Sequence, residues 1–555
     1  MLTPDQINAL SELSQQAMQP VIDFLLDDIA RRISEAGQFT SSAAYQIWRA
    51  QALGLDRKAI EKELKKRLNV SNSELKKLLK QSAEVGYNFD MKGFGTRAIP
   101  FDENDSLQQI IETAVKLADK DFKNITQTLG FCDPFGNVKP LTDAYKSCCD
   151  YAFNQVITGA TDYNTAIRNA TKNLADKGIH TINYESGVHT SLEAAVRRNI
   201  MGGLGLMQEQ ISQQNHDAFG ANGWEISAHA ASAPDHEDIQ GKQYTDKEFE
   251  TLNNSLVRRI GTMHCGHAAF PIILGVNEPQ YTPKQLEQFK LDNQKGVTYN
   301  GRHYTSYEAT QKQRAIERAI RRQKRRVLVA ESSGDKDRFL TSQIKLRRLN
   351  EEYGRYSKTV GLPTQRERAQ VGGFGKKQAA QATGAANKYY NEWSKSIGLN
   401  NSVKTLDKYY DIKYTTPPRY ELLKQYAKDV EEGWISPLSG FDNYEELYNK
   451  IQTEIVGKTV ANGTVIRGQK PHFMQRVIGT MVDPEKKKKD LQIIRRSGVD
   501  IDDISNALFN PEKVDPPQKR PSGETSVRFI GERCVVTINP NTGKLIQTNP
   551  RKKGK

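Results

Sequence analysis

Apolar residues recur at helical spacing through most of the first 220 positions. In LEAAVRRNIMGGLGLMQEQISQQ, Leu192, Val196, Ile200, Leu204, Met207 and Ile211 fall three or four apart, which is the stripe of a core helix. Ahead of it, Thr190-Ser191-Leu192-Glu193 sets a capping hydroxyl three positions before a carboxylate. The same kind of start signal stands at Thr3-Pro4-Asp5-Gln6 and Ser71-Asn72-Ser73-Glu74, so the N-terminal region reads as a series of helices. Gly202, Gly203 and Gly205 inside the long stripe would admit a close helix crossing or a kink.

From Trp224 to Pro271 the helical period fails. Pro, Gly, His and aromatic residues cluster there, predicting a compact region of loops and short strands. A strongly basic helix follows in YEATQKQRAIERAIRRQKRRVLV, with Arg314, Arg318, Arg321 and Arg325 in one stripe and Ile316, Ile320 and Val327 on the other side. That stripe reads either as a solvated face or as a contact for nucleic acid or an acidic partner. The helical pattern continues to about Tyr356, and the Gly/Ala/Gln-rich stretch after it reads as a connector. Near the C-terminus, SVRFI, CVVTI and KLIQT have the β-branched composition of strands, and Asn539-Pro540-Asn541-Thr542-Gly543 suits a hairpin loop. The pattern divides the chain into an α-helical region over 1–185, an irregular α+β core with its basic helix over 186–360, a connector over 361–410 and a small α+β domain over 411–555.

A length of 555 residues agrees with several domains, at roughly 100–200 residues each. The hydrophobic share of 37% and charged share of 26% are those of a folding chain, and a mean hydropathy of −0.68 implies a large wet surface. No apolar run approaches the roughly 18 residues a membrane helix needs, and MLTPDQINAL lacks the features of a signal peptide. The expectation is a protein made in the cytoplasm with no membrane partner. Five scattered cysteines with no CxxC argue against a disulfide framework. The net charge of +14 suggests a polyanionic partner, and the surplus is concentrated late, with 19 Lys and Arg against 10 Asp and Glu from Thr459 onward.

Two constellations carry candidate chemistry. His229, His236, His264, Cys265 and His267 crowd into the irregular segment of a chain with nine histidines. His229, His236, Cys265 and His267 are candidate ligands for a structural zinc, which takes four such groups; the alternative is a set of hydrogen-bonded histidines knitting a loop core. This segment carries a resemblance. EISAHAASAPDHEDIQG from Glu225, HCGHAAFPIILGVNEPQYT from His264 and YEATQKQRAIERAIRRQKRR from Tyr307 resemble, in that order, the phage minor capsid protein 2 family, related to the Mu F-like minor head proteins. The resemblance covers about residues 1–360 and implies a structural protein associated with portal and head during assembly, without catalysis in this part.

The second constellation is His472 and Arg476 in GQKPHFMQRVIG, four apart and so on one helix face. Metal-independent RNA cleavage needs a base for the 2′-OH proton, an acid for the leaving 5′-oxygen and cations for the phosphorane, and this pair could supply one acid/base and one charge stabiliser. A histidine at a helix start also occurs as a purely structural residue. The domain pattern, a His-x-x-x-Arg helix, a second helix ending in Asn-Pro and then RFIGERCVVTINPNTGKLIQTNP, resembles the nuclease domains of the barnase/EndoU/colicin/RelE-like superfamily, which occur as C-terminal toxin domains of phage head proteins. It covers about residues 455–550 and implies RNase activity at His472, Arg476, Arg528, Thr537 and Thr548, with no cofactor required and with an immunity protein as a candidate partner. His472 is the only histidine after His303, so the second proton carrier must be Lys, Tyr, a hydroxyl or water. Lys486, Lys487, Lys488 and Lys489 would hold phosphates without reading sequence, or form a solvated loop.

The expected protein is multidomain: a mainly α head-protein module with an irregular α+β core, then a small α+β RNase-like domain. It would reside in the virion, at the head interior or portal, with portal and capsid proteins as partners, RNA as candidate substrate and packaged DNA as a further candidate. The rival is a purely structural virion protein whose basic C-terminal domain binds DNA or portal without cleaving anything.

Overall fold

The computed structural model describes residues 13, 16–54, 56–91, 99–182, 189–257, 259–261, 266–399, 403–481, 495–519 and 523–551. The chain divides into two compact units, residues 1–383 and 384–555. No helix among the described residues is long and apolar enough to cross a membrane.

In the first unit, helix α1 (Gln19–Gly37) buries Val21, Ile22, Leu25, Leu26, Ile29 and Ile33 in one continuous stripe. Asp28 lies on that buried side. Its Oδ2 accepts 2.8 Å hydrogen bonds from Arg32 Nε and from the Tyr145 phenol, which satisfies a charge that burial alone would penalise. Helices α2 (Ser42–Gly54), α3 (Asp56–Met91) and α4 (Asp105–Gln127) follow. Here the structure corrects the sequence reading, because no helix starts at Ser71-Asn72-Ser73-Glu74. Ser71 is buried within α3, whose inward stripe runs on through Leu64, Leu68, Leu75 and Leu79. The expected start at Thr3 lies outside the described residues.

An antiparallel sheet of order β2-β1-β3-β4 is built from β1 (Leu129–Cys132), β2 (Val138–Pro140), β3 (Ile179–Ile182) and β4 (His189–Ser191). Between β2 and β3 run α5 (Leu141–Ile157) and α6 (Tyr163–Lys177). The long stripe is helix α7 (Leu192–Phe219), and Ser191 Oγ accepts from Ala194 N at its start. It runs unbroken through its three glycines, and Leu192, Val196, Ile200, Leu204, Met207 and Ile211 are all buried.

Beyond α7 the irregular core forms around β5 (Gly223–Ile226), flanked antiparallel by β6 (Gln243–Thr245) and β7 (Ala269–Ile272). A helix that sequence reading missed, α8 (Asp246–Ser255), begins with a reciprocal capping box between Thr245 and Glu248. After α9 (Pro283–Lys295) and the hairpin β8 (Val297–Tyr299) and β9 (Arg302–Tyr304), two long helices pack together. These are α10 (Ser306–Ser332), the basic helix, and α11 (Lys336–Val360). They are separated at Gly334, whose φ of 73° is open to glycine but strained for other residues. Ile316, Ile320 and Val327 meet Leu346, Tyr353 and Tyr356 in their seam, which Ala369 and Ala382 complete. The stretch read as a connector carries a helix of its own, α12 (Lys376–Ser396).

Beyond α12 the second unit continues with α13 (Leu406–Thr415), α14 (Pro417–Glu431) and α15 (Phe441–Glu454). Strand β10 (Gly468–Gln469), helix α16 (Pro471–Ile478), the paired strands β11 (Gly479–Met481) and β12 (Arg495–Ser497), and helix α17 (Ile501–Phe509) come next. Then β13 (Lys513–Val514), β14 (Gln518–Lys519), β15 (Thr525–Ile530), β16 (Cys534–Asn539) and β17 (Lys544–Pro550) complete a sheet of order β10-β17-β16-β15-β13, with β14 also paired to β15. Among the described residues of this sheet the β10–β17 pairing is parallel and the others are antiparallel. The loop from Asn539 to Gly543 turns as expected, with Asn539 Oδ1 accepting from the backbone of Asn541 and Thr542. The organisation is therefore mainly α with small sheets.

Candidate functional site

Helix α16 is short and strongly amphipathic, with Pro471 in its first turn and Phe473, Met474 and Val477 buried. Burying that face leaves His472 and Arg476 half-buried, one turn apart. Arg476 Nε donates to His472 Nε2 at 3.1 Å. On the other edge of the imidazole, Nδ1 lies 2.8 Å from Gln475 Oε1, and Gln475 Nε2 donates to Asp429 Oδ1 at 2.8 Å. Gln425 Nε2 donates to the same Asp429 oxygen at 2.9 Å. Asp429 comes from α14 and is fully buried. Burial raises its pKa to about 6, and the two amides pull against that rise by stabilising the carboxylate.

Arg496, on β12, donates from Nη1 to Asn549 Oδ1 on β17. The Arg476 guanidinium has its pKa lowered by burial and by the nearby positive charge of Arg496. Arg476 Nη1 is buried with no hydrogen-bond partner among the described residues. Two guanidinium groups thus approach each other with a donor to spare, an arrangement that favours an anion.

The other expected nuclease residues are placed differently. Arg528 on β15 is exposed and stands opposite Thr537 on β16, with Asp515 at 4.0 Å. Thr537 is buried. Thr548 is fully buried opposite Val536, and its hydroxyl donates to Val535 O at 3.3 Å. Lys486, Lys487, Lys488 and Lys489 lie outside the described residues. Sequence reading passed over Asp429, Gln475, Arg496 and Asn549. Gln475 stood within the quoted motif, whereas nothing in the local pattern singles out Asp429.

In the first unit, three of the expected ligand residues do come together. His229 and His267 stack with ring centroids 4.5 Å apart, and His236 meets His267 edge to face at 5.2 Å. Gln240 Oε1 accepts from His229 N, which identifies it as the oxygen, so His267 Nε2 at 3.0 Å must be a donor. His267 Nδ1 is then an acceptor, and His236 Nδ1, 3.4 Å away, carries the proton between them. Burial, with neighbouring His229 and His236, pushes His267 down to about 3, and burial followed by His236 lowers His229. His229 and His267 are therefore held neutral. Among the described residues no group of three or more His, Cys, Asp or Glu is placed to hold a metal ion, and Cys265 lies outside them.

The arginine stripe of α10 turns largely inward. Arg318 is exposed, Arg314 and Arg321 are half-buried and Arg325 is buried. Arg321 Nη1 donates to the backbone oxygen of Arg368. Buried Glu317 has its pKa raised by desolvation, against the pull of the Tyr353 hydroxyl and of the charges of Arg368, Arg321 and Arg314. Most of the stripe thus serves the inside of its own unit.

No curated protein and no solved structure shows a match to the chain. The family described as phage minor capsid protein 2 matches residues 2–356, which take in α1 to α10, the histidine cluster and the arginine helix. That match spans more than half of the sequence, and the chain belongs to the phage minor capsid protein 2 family.

Proposed function

We propose that this chain combines a structural place in the phage head with RNA cleavage by its second unit. As a family member it is a head protein of the virion, and the first unit has the build for that role: extended helical packing, a knitted histidine core and arginines committed to internal contacts. We assign that unit to the head near the portal. In the second unit, His472 Nε2 takes the proton of the RNA 2′-hydroxyl, whose oxygen attacks the adjacent phosphorus. Arg476 and Arg496 hold the phosphorane charge, and the departing 5′-oxygen takes its proton from water. The products are a 2′,3′-cyclic phosphate and a 5′-hydroxyl, and no metal takes part.

The observation that carries this reading is the basic edge of His472 facing a guanidinium that has a second guanidinium beside it and a hydrogen-bond donor to spare. An arriving phosphate competes for Arg476 and frees Nε2. The full chain, incubated with total cellular RNA in EDTA, is expected to leave cyclic phosphate ends, and His472→Ala is expected to slow cleavage by about 10²–10⁴-fold. A folded full chain that cleaves no RNA would leave the second unit as a DNA- or portal-binding part of a purely structural protein.

A further inference from the structure

Gln475 separates a buried carboxylate from an imidazole, and the polarity of each atom along that line is determined. Asp429 is ionised above about pH 6 and then only accepts, so both amides that reach its Oδ1 must present their NH2 groups. With its nitrogen turned to Asp429, Gln475 must turn its oxygen to His472. A carbonyl oxygen only accepts, so the proton of the neutral imidazole sits on Nδ1. Nε2 is left as the lone pair, the atom to which Arg476 Nε points. Reversing the Gln475 amide would set its oxygen against the carboxylate, and its NH2 against an Nδ1 that carries the proton as long as Arg476 donates to Nε2.

We infer that Asp429 is a positioning residue for His472, acting through Gln475, whose oriented amide holds the imidazole as the Nδ1–H tautomer with Nε2 as the base. This inference rests on the RNA-cleaving reading for its use, although the tautomer itself is independent of any substrate. The arrangement does the work of a carboxylate bonded directly to a catalytic histidine, with one amide interposed. It also explains a glutamine inside the His472/Arg476 turn: a leucine there would fill the same buried position without polarity, and a glutamate would set a second carboxylate against Asp429.

The test uses the full chain labelled at histidine with 13C and 15N, with the His472 signals identified by their loss in His472→Gln. The ring 13Cδ2 shift distinguishes the two neutral tautomers. Wild type at pH 8 is expected to show His472 as Nδ1–H. Because Arg476 Nε, donating to Nε2, favours the same tautomer, the variants are compared in an Arg476→Met background. There His472 is expected to remain Nδ1–H until Asp429→Asn or, separately, Gln475→Met is added and shifts it toward Nε2–H. Gln475→Met keeps Asp429 intact, so it guards against a folding defect caused by altering the buried carboxylate. As single changes with Arg476 in place, Asp429→Asn and Gln475→Met are each expected to lower kcat for RNA by roughly 10- to 100-fold with little change in KM, less than the loss of the base itself. An Nε2–H tautomer in wild type, or a His472 signal unmoved in both folded variants, would overturn the inference even if RNA is cleaved. A tautomer that shifts as described in a chain that cleaves no RNA would uphold the positioning and defeat the nuclease reading instead.

Discussion

Tyr353 donates a 2.9 Å hydrogen bond to Glu317 in the seam between α11 and α10, where the glutamate is only 2% exposed. Tyr353 Oη also accepts from the backbone N–H of Gln365, 2.8 Å away. One phenol therefore ties both long helices to the segment that follows them, and the basic helix is organised around a buried acid.

Removing that hydroxyl leaves a buried carboxylate and a backbone N–H each short of a partner. Tyr353→Phe is expected to destabilise the first unit by about 1.5–3 kcal/mol, the scale for hydrogen bonds to charged groups. Urea unfolding followed by a probe confined to the first unit measures it, and an unchanged midpoint would show that the seam does not depend on this contact.

Arg318 tests what the stripe does outside the unit. It is the exposed one of the four arginines, so Arg318→Gln is expected to leave stability within about 0.5 kcal/mol of wild type. Any loss of incorporation into heads by this stable variant then reports a contact between molecules, and full incorporation at every salt concentration would assign the residue to solvent.

Two neutral histidines make the irregular core sensitive to acid. His229 and His267 have folded-state pKa values below the ordinary 6.5, so the stability they confer is complete above that pH and is lost as pH falls below it, when the unfolded chain takes up protons that the fold refuses. For His267, lowered to about 3, this amounts to about 1.4 kcal/mol per pH unit on the way down from 6.5. Hydrogen exchange at β5 and β7 should speed up on going from pH 7.5 to 5.5 beyond the intrinsic pH effect, with or without EDTA. A loss of protection caused by the chelator at pH 7.5 would reveal a bound metal instead.

Gly531 lies so close to α17 that an added Cβ would stand 2.6 Å from Ala507 Cβ and 2.8 Å from its Cα. Gly531→Ala is expected to cost the second unit about 1–3 kcal/mol as helix and sheet are forced apart. A thermal melt of the full chain should show its lower transition move or split, and a wild-type melt would mean that the turn before Cys534 absorbs the methyl group.

Much of this organisation is visible in local pattern. The stripe from Leu192 to Ile211, the cap at Ser191 and the hairpin around Asn539 follow from spacing and from the bonds that Ser and Asn side chains make to nearby backbone. Ser71 misled because a start signal inside an unbroken leucine stripe is overruled by packing, and α8 escaped notice because its Thr245–Glu248 box precedes a short polar helix. At the candidate site, His472 and Arg476 were legible as neighbours on one turn. Asp429 was not, since it reaches Gln475 from 46 residues away along the chain and only the folded unit brings the two together.

The residues just past α11 decide where the first unit ends. Gly372 N–H reaches Gln19 Oε1 at 3.1 Å, Lys324 Nζ donates to Ala369 O at 2.7 Å, and Ala369 and Ala382 fill the seam. The family likeness stops at residue 356, short of all of them. A chain cut at the edge of that likeness would leave an open hydrophobic furrow beside Ile316 and Tyr353 and would strand the Lys324 donor, so the first unit as a folded body reaches further along the chain than the family match does.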